Sequence, residues 1–297
     1  MPLPTPFNKC FLLSFCLFLL FGHHGQAQGK QPAVHVQKVY KTIDTLALTA
    51  HVFYSPATLQ KKGKTALAFF HGGGWAFGKP EEFFNACRRY AEMGFVAVSF
   101  QYRLADDKDK SQDKKVTPID CVLDARSAMR WLRANAREYG IDPNKIVAGG
   151  QSVGGQLVLA TAMINTHNDP RDNAAISPVP NAMILWSGTV NTIEPWCDRL
   201  LGNKRDQIWS ISPAHNIKPR LPPAIAFHGS ADHTVAFWTV GFFAREMEQK
   251  GNHYELHRYE GRKHYLGEGN DHYATLFDEE ILLKTDEFLR KFKFWSK

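Results

Sequence analysis

Hydrophobic and polar positions follow two different periods along this chain, one typical of strands and one typical of helices. Short runs rich in β-branched and aromatic residues stand between turn signals and predict strands at 34–43, 46–54, 65–70, 95–102, 145–148, 182–186, 224–227 and 254–259. Apolar residues at steps of three and four predict helices at 81–93, 117–139, 155–164, 235–249 and 276–292. In the clearest of these helices, one apolar face is formed by Val122, Ala125, Met129 and Leu132.

The alternation of strands and helices predicts the α/β class. Parallel strands need crossover helices that cover both faces of the sheet, whereas 34–43 and 46–54 are close enough to pair as an antiparallel hairpin. We therefore expect a mostly parallel, twisted sheet with helices on both faces and an N-terminal antiparallel hairpin. Residues 189–223 are too many for an ordinary connection, and Trp196, Trp209 and several prolines predict a small ordered insertion there, called here the insertion segment.

The first 27 residues differ from the rest of the chain. Lys9 is their one charged residue, an apolar run covers 11–21, and Gly25-Gln26-Ala27 resembles a signal cleavage site. The eleven residues of this run make a helix of about 16 Å, well short of the roughly 30 Å hydrocarbon core, so no stable membrane span is expected. The pattern predicts a signal peptide at 1–27, a single domain at 28–297, and a secreted or periplasmic protein.

Composition excludes a disordered or low-complexity chain. Of the 297 residues, 44% are hydrophobic and 12% are aromatic, which is enough to bury a full core. The formal net charge of +7 comes without a basic stripe, so no nucleic acid partner is expected. Beyond residue 27 the cysteines are Cys87, Cys121 and Cys197, which allow at most one intramolecular disulfide. Cys87 with Cys121 is a candidate pair, and buried free thiols are the alternative.

Residues 150–154, Gly-Gln-Ser-Val-Gly, match the G-x-S-x-G nucleophile elbow. In such an elbow the glycines permit a tight turn from a strand into a helix, and the turn raises the serine hydroxyl above the sheet. A predicted strand precedes the motif and a predicted helix follows it, which is the context that the motif requires. Ser152 is therefore the candidate nucleophile, and a serine that only caps the helix is the alternative.

A glycine run at 71–75, His-Gly-Gly-Gly-Trp, follows the predicted strand 65–70. Acyl transfer places negative charge on the substrate carbonyl oxygen, and preorganised backbone N–H groups stabilise that charge. Gly72 and Gly73, together with Val153 from the elbow, are predicted to form this oxyanion hole. Trp75 and Gln151 are candidate substrate-binding residues. His71 is interpreted as a structural residue that holds the loop.

A serine nucleophile needs a histidine base and a carboxylate that orients the histidine. Asp232 follows a predicted strand within His-Gly-Ser-Ala-Asp at 228–232, where parallel sheets assemble their sites. His264 follows the last predicted strand, and Ser, Asp, His is the order expected for this elbow. We predict Asp232 as the orienting acid and His264 as the general base. Asp232 as a helix N-cap and His272 as the base are the alternatives.

No H-E-x-x-H or C-x-x-C spacing occurs, so neither a metal nor another cofactor is expected. The expected partner is a small-molecule or polysaccharide ester that is bound as substrate. The chemistry then depends on groups of the protein alone.

Taken together, the motifs resemble those of α/β-hydrolases of the carboxylesterase kind. His-Gly-Gly-Gly-Trp at 71–75 with Gly-x-Ser-x-Gly-Gly at 150–155 is similar to the hormone-sensitive-lipase-like esterases. The stretches 40–56, 102–104 and 118–133 resemble the secreted bacterial group of bifunctional deacetylases and feruloyl esterases. The resemblance implies hydrolysis of short acyl or feruloyl esters, on plant polysaccharides among others, by a Ser-His-Asp triad through an acyl-enzyme.

Two other functions stay open at this point. The motifs at 150–155 and 228–232 are also similar to those of serine peptidases of the prolyl-oligopeptidase kind, although these carry an additional domain. A catalytically inactive hydrolase scaffold would instead bind a carbohydrate or a protein through Trp196, Trp209 and neighbouring aromatic residues.

Overall fold

The structure is a computed structural model that describes residues 1–2, 32–59, 62–267 and 278–295. The chain divides into two units, Met1–Lys30 and Gln31–Lys297, and the description below concerns the second. The predicted signal peptide, apart from its first two residues, and the alternative base His272 lie outside the described residues. Within the described ranges, no helix combines the length and the apolar character needed to cross a membrane.

A single sheet forms the centre of the second unit. Its described strands are β1 (Val34–Ile43), β2 (Leu46–Tyr54), β3 (Lys64–Phe70), β4 (Val96–Phe100), β5 (Ile141–Gln151), β6 (Ala182–Trp186), β7 (Ala224–Gly229) and β8 (Tyr254–Tyr259). They lie side by side in the order β1-β2-β4-β3-β5-β6-β7-β8. β2 is antiparallel to both β1 and β4, and every other described pair is parallel. The predicted mostly parallel sheet with an N-terminal hairpin is therefore confirmed.

Helices cover both faces of this sheet. In the described part of the chain they are α1 (Pro56–Leu59), α2 (Phe84–Glu92), α3 (Pro118–Ala134), α4 (Val153–Met163), α5 (Pro195–Leu201), α6 (Phe237–Gln249) and α7 (Glu279–Lys291), with 3₁₀ turns at Pro80–Phe83, Gly202–Ile211 and Pro213–His215. Residues of α3, α4 and α6 share one hydrophobic core, and residues of α2 and α7 share another. β3 supplies both cores, because successive side chains of a strand point to opposite faces: Phe70 belongs to the first and Phe69 to the second.

β5 differs most from the predicted boundaries. The pattern predicts a turn at 142–144 before a strand at 145–148, whereas β5 already begins at Ile141. A register shift in its ladder with β3 accommodates the turn inside the strand. The Asn144 N–H donates to Asp142 Oδ1 at 2.9 Å, the local hydrogen bond that gives Asp its preference for turns. The local turn hydrogen bond is present, but both predicted ends of the strand were wrong, since β5 begins at Ile141 and continues to Gln151.

A buried ion-pair network joins β1, α3 and the chain after β4. The Asp124 carboxylate of α3 is completely buried and accepts hydrogen bonds from Lys41 Nζ at 2.7 Å and from Arg103 Nε at 2.8 Å. These charges tolerate burial because each has an opposite partner at hydrogen-bond distance. The network holds the chain that follows Arg103, where the Ala105 N–H donates to the Trp75 carbonyl at 2.8 Å.

The insertion segment folds into α5 and the two 3₁₀ turns that follow it. The Asn203 N–H donates to the Gln112 carbonyl at 2.8 Å, so this segment packs on the polar loop that follows β4. The boundaries of the insertion segment, 189–223, and those of the domain, 28–297, stay predictions.

The three cysteines of the second unit are buried free thiols. The candidate disulfide between Cys87 and Cys121 is therefore not formed, and the alternative holds. Burial raises the pKa of the Cys197 thiol to about 12 and also raises the pKa of Cys87 and Cys121. All three consequently act as small apolar side chains rather than as nucleophiles.

Candidate active site

Ser152 lies at a sharp turn between β5 and α4. Its φ of +54° is a left-handed conformation that residues other than glycine rarely adopt, so the surrounding structure must hold it. Two neighbouring positions require glycine: a Cβ on Gly150 would lie 2.3 Å from the Gly154 carbonyl carbon, and one on Gly154 would lie 2.1 Å from the Phe70 carbonyl oxygen. The Ser152 side chain makes no capping hydrogen bond, which argues against the helix-capping alternative.

Asp232 and His264 come from separate loops that meet at the carboxyl end of the sheet. Asp232 follows β7 and His264 follows β8, and these parallel neighbours end at the same edge. His264 Nδ1 lies 2.8 Å from Asp232 Oδ2. The other carboxylate oxygen, Oδ1, accepts the N–H groups of Thr234 at 2.8 Å and Val235 at 2.9 Å. A carboxylate held in this way favours the imidazole tautomer with its proton on Nδ1, which leaves Nε2 free to accept a proton.

Asp232 has a second histidine partner that the motifs did not predict. His228 Nε2 lies 3.1 Å from Asp232 Oδ2 and 2.8 Å from the Val235 carbonyl oxygen. Both neighbours are acceptors, so this nitrogen carries the proton. Burial alone raises the pKa of the Asp232 carboxyl, but hydrogen bonds from His228 and His264 outweigh it and hold that pKa below its ordinary value. The sequence places His228 four residues before Asp232, but this spacing alone did not show that the two side chains meet.

Gln151 links the imidazole to the elbow. Its Nε2 lies 3.5 Å from His264 Nε2, and both side chains are buried. Since Gln151 directly precedes Ser152, the imidazole nitrogen opposite Asp232 lies next to the elbow. Gln151 Oε1 is packed against Gly72, where an added Cβ would approach it to 2.0 Å. Gln151 therefore lies between the glycine loop and His264, and its contact with substrate stays a prediction.

The oxyanion loop, residues 71–78, is shaped by glycine. Gly73 has a φ of +107°, and a Cβ at this position would lie 2.3 Å from the Phe77 carbonyl oxygen. Among the described residues, the N–H groups of Gly72, Gly73 and Val153 take part in no turn, loop or cap hydrogen bond. Val153 also opens α4, and the first N–H groups of a helix have no acceptor within it. The three predicted oxyanion donors are therefore free to bind an oxygen, and that role stays a prediction.

His71 holds the oxyanion loop from inside the core, in agreement with its interpretation as a structural residue. Its ring stacks on Tyr102 at 4.3 Å, and its Nδ1–H donates to the Gly72 carbonyl at 2.8 Å. The Tyr102 hydroxyl donates to the His71 carbonyl at 2.9 Å. Burial lowers the pKa of His71 to about 4, although its contact with the Gly72 carbonyl acts in the opposite direction. His71 is therefore neutral at the pH at which a general base would work.

The low pKa of His71 predicts acid sensitivity of the fold. The unfolded chain binds a proton at this histidine below about pH 6.5, whereas the folded protein does so below about pH 4. Between these values the unfolded state binds more protons, so His71 lowers the free energy of unfolding as the pH falls, by about 3 kcal/mol in all. Urea unfolding of the wild type and of His71→Asn between pH 7 and pH 4 measures the difference. If the free energy of unfolding of His71→Asn depended on pH in the same way as that of the wild type, His71 would not be the source of the acid sensitivity.

Trp75, a predicted substrate-binding residue, is completely buried. Its indole N–H donates to Gln156 Oε1 at 3.2 Å, and its ring stacks on Trp196. The observed contacts of Trp75 are therefore internal supports of the oxyanion loop, and direct contact with substrate stays a prediction.

Two other histidines, in or beside β8, make contacts of their own. His253 Nε2 pairs with Glu255 at 2.6 Å, and His257 stacks on Phe227. In the ranges that the structure describes, no three His, Cys, Asp or Glu side chains form a group that could hold a metal ion. The described residues therefore include a strained serine next to Gln151, a histidine that pairs with a carboxylate and contacts Gln151, and a loop with free N–H groups, an arrangement suited to acyl transfer.

Comparison with known proteins points in the same direction. Residues 53–245 match the model of the BD-FAE family. Among curated relatives, the probable carboxylic ester hydrolase LipM of Mycobacterium tuberculosis is 26% identical over 198 residues, which are 60% of this chain and 43% of the relative. The probable isoprenylcysteine alpha-carbonyl methylesterase ICME of rice (Oryza sativa subsp. japonica) is 26% identical over 225 residues, 69% of this chain and 52% of the relative. The chain thus spans about half the length of these curated relatives.

Solved structures resemble the chain over more of its length. The apo form of esterase 2 from Thermogutta terrifontis is 35% identical, with a TM-score of 0.79, and the match covers 89% of this chain and 96% of that one. The propionate-bound form of the same esterase is 36% identical, with a TM-score of 0.77 and the same coverage. The likeness therefore extends over nearly the whole of that protein.

Proposed function

The chain belongs to the BD-FAE family, within the α/β-hydrolases of the carboxylesterase kind, and from this membership and the site geometry we propose that it hydrolyses carboxylic esters through Ser152, His264 and Asp232. One observation carries the proposal. Asp232 Oδ2 lies 2.8 Å from one imidazole nitrogen of His264, and the other nitrogen lies 3.5 Å from Gln151, the residue before Ser152. Three distant segments thereby supply a nucleophile, a base and an orienting carboxylate.

In the first half of the reaction, His264 Nε2 takes the proton of the Ser152 hydroxyl as its oxygen attacks the ester carbonyl carbon. The carbonyl oxygen becomes an anion that the N–H groups of Gly72, Gly73 and Val153 bind. Collapse of this intermediate breaks the bond to the alkoxide, which leaves as the alcohol with the proton from His264. Asp232 remains ionised throughout and stabilises the imidazolium.

In the second half, His264 takes a proton from water, whose oxygen attacks the acyl-enzyme at the same carbonyl carbon. The same N–H groups bind the second oxyanion. Its collapse releases the carboxylic acid and returns the proton to the Ser152 oxygen. The low pKa of Asp232 supports this cycle, because a permanent carboxylate keeps the proton of neutral His264 on Nδ1.

The proposed substrates are short acyl or feruloyl esters, among them those carried by plant polysaccharides. Esterase 2 of Thermogutta terrifontis has been solved with propionate and with butyrate, which supports a short acyl group. Phe77 of the oxyanion loop is 58% exposed and offers a ring surface on which a feruloyl or sugar ring could stack. The apolar run in residues 1–27 supports export by a cleavable signal peptide, so that the enzyme would meet such polymers outside the cytoplasm.

Labelling with a fluorophosphonate tests the nucleophile, and a substrate panel tests the activity. Esterase 2 of Thermogutta terrifontis is phosphonylated by sarin, so we expect purified protein to react with a fluorophosphonate probe at Ser152, located by peptide mass spectrometry. The panel compares p-nitrophenyl acetate, acetylated xylan, feruloylated arabinoxylan and dipeptidyl amides. Cleavage of the esters with no cleavage of the amides supports the proposal. Preferred amide cleavage would indicate a peptidase, and neither labelling nor turnover would indicate an inactive binding protein.

A further inference from the structure

The oxyanion loop contains a strained tryptophan. Trp75 has a φ of +61°, a region that bulky residues avoid because the Cβ crowds the backbone. Such a conformation costs free energy and persists only when the surrounding structure holds it. Gly74, directly before it, has the same φ, and only for glycine is this value unstrained. The path of the loop from Gly72 to Trp75 therefore depends on contacts outside the loop.

Trp75 is held by three contacts, and two of them involve its side chain. The indole N–H donates to Gln156 Oε1 at 3.2 Å. The ring stacks on Trp196 of α5, with centroids 4.9 Å apart and planes inclined by 29°. The backbone carbonyl accepts the Ala105 N–H at 2.8 Å. The Trp196 ring also reaches Gly74, where an added Cβ would lie 4.0 Å from it.

Gln156 joins three parts of the site. It lies on α4 one turn after the nucleophile, and its backbone N–H donates to the Ser152 carbonyl at 3.3 Å. Its side chain is completely buried, with Oε1 bound to Trp75 and Nε2 donating to the Ile211 carbonyl at 2.7 Å. A buried carboxamide is stable only when both ends are hydrogen-bonded, so this side chain has one favoured orientation. That orientation fixes Trp75 relative to Ser152 and to the insertion segment.

We propose that Gln156 is a positioning residue through which the insertion segment, residues 189–223, holds the oxyanion loop in a fixed position relative to the nucleophile. Ile211 orients the carboxamide, the carboxamide orients the Trp75 indole, and Trp196 stacks on the same indole. The proposal rests on the proposed function, because it assigns this bridge to the oxyanion hole of that reaction. An oxyanion hole acts only when its donors are preorganised, and small displacements of a positioned group lower the rate strongly.

Two variants test the bridge. Gln156→Met keeps the volume of the side chain and removes both hydrogen bonds, and Trp75→Phe removes the indole donor together with part of the ring that stacks on Trp196. We expect kcat for p-nitrophenyl acetate to fall about 10- to 100-fold in each while KM changes less than threefold, because only the transition state uses the hole. A trifluoromethyl ketone, which adds to the serine and forms an oxyanion, should bind more weakly by the same factor. The double variant should lose little more than either single variant, since both break one bridge.

Thr161→Val is the matched control. Thr161 is also buried on α4, but its hydroxyl donates only to the Val158 carbonyl of the same helix. We expect this variant to lose stability with kcat and inhibitor affinity unchanged. Unchanged kcat in folded Gln156→Met, or an equal loss of kcat in Thr161→Val, would overturn the inference. If Gln156→Met does not fold, Trp75→Phe decides alone by the same criteria. A wild type without esterase activity would instead refute the proposed function itself.

Discussion

Ser152→Ala is expected to abolish ester hydrolysis almost completely, with a loss of roughly 10⁶-fold in kcat, as for other serine hydrolases that lose their nucleophile. The reason is chemical, because alanine has no oxygen with which to form the acyl-enzyme. The fold should be retained, since the Ser152 side chain makes no capping hydrogen bond and alanine tolerates the left-handed backbone about as well as serine does. Initial rates on p-nitrophenyl acetate, with thermal unfolding of the same samples, measure both expectations.

Ser187→Ala is the control for this substitution. Ser187 directly follows the neighbouring strand β6, is fully buried, and has a φ of +47°, so the two serines share residue type, burial and backbone strain. We expect Ser187→Ala to keep most of the activity and to remain reactive toward the fluorophosphonate. If Ser152→Ala instead kept more than about one per cent of wild-type turnover, the nucleophile would have to be sought elsewhere in the chain.

Asp232→Asn is expected to lower kcat about 10⁴-fold, the size of loss seen when the carboxylate of a serine triad becomes an amide. Asp232 accepts two backbone N–H groups on Oδ1 and two histidine N–H groups on Oδ2. An asparagine that keeps its oxygen toward the backbone amides presents its NH₂ group to His264. His264 would then carry its proton on Nε2, the wrong tautomer for a base.

The control is another buried aspartate, which pairs with an arginine and not with a histidine of the site. Asp286 of α7 pairs with Arg89 Nη2 at 2.6 Å, so Asp286→Asn should reduce stability without changing kcat. A loss below tenfold in Asp232→Asn would assign the acid to a different carboxylate.

Local patterns were sufficient for most of the secondary structure. The hairpin strands β1 and β2 and the strands β6 and β8 have the predicted boundaries to the residue. β6 is buried along its whole length, so its continuous apolar run was unambiguous between polar neighbours. β5 was the exception, because its first residues are polar turn formers that join the ladder only through a register shift with β3. Such a shift depends on the partner strand, which no local pattern contains.

The residues of the candidate site likewise fall into those that the sequence predicted and those that only the structure revealed. Ser152, Asp232 and His264 could be proposed from motifs and from their order, and the observed contact between Asp232 and His264 agrees with that order. His228 and Gln156 could not be assigned roles from the sequence. Histidine and glutamine occur in many contexts, and the role of each side chain becomes clear only from the groups that it contacts in the folded protein. Trp75 was expected at the substrate, yet its observed contacts are with Gln156 and Trp196 inside the protein.

Hydrophobic period, turn residues and motif spacing therefore determined the α/β class, the mostly parallel sheet and the elbow, because each follows from the type and order of local elements along the chain. Folding decided which of the long-range partners meet: the second histidine on Asp232, the carboxamide between the oxyanion loop and the insertion segment, and the free state of the three thiols. The physical reason is that these contacts join residues brought together by sheet order and helix packing, and their energies depend on burial and on distances of a few ångströms.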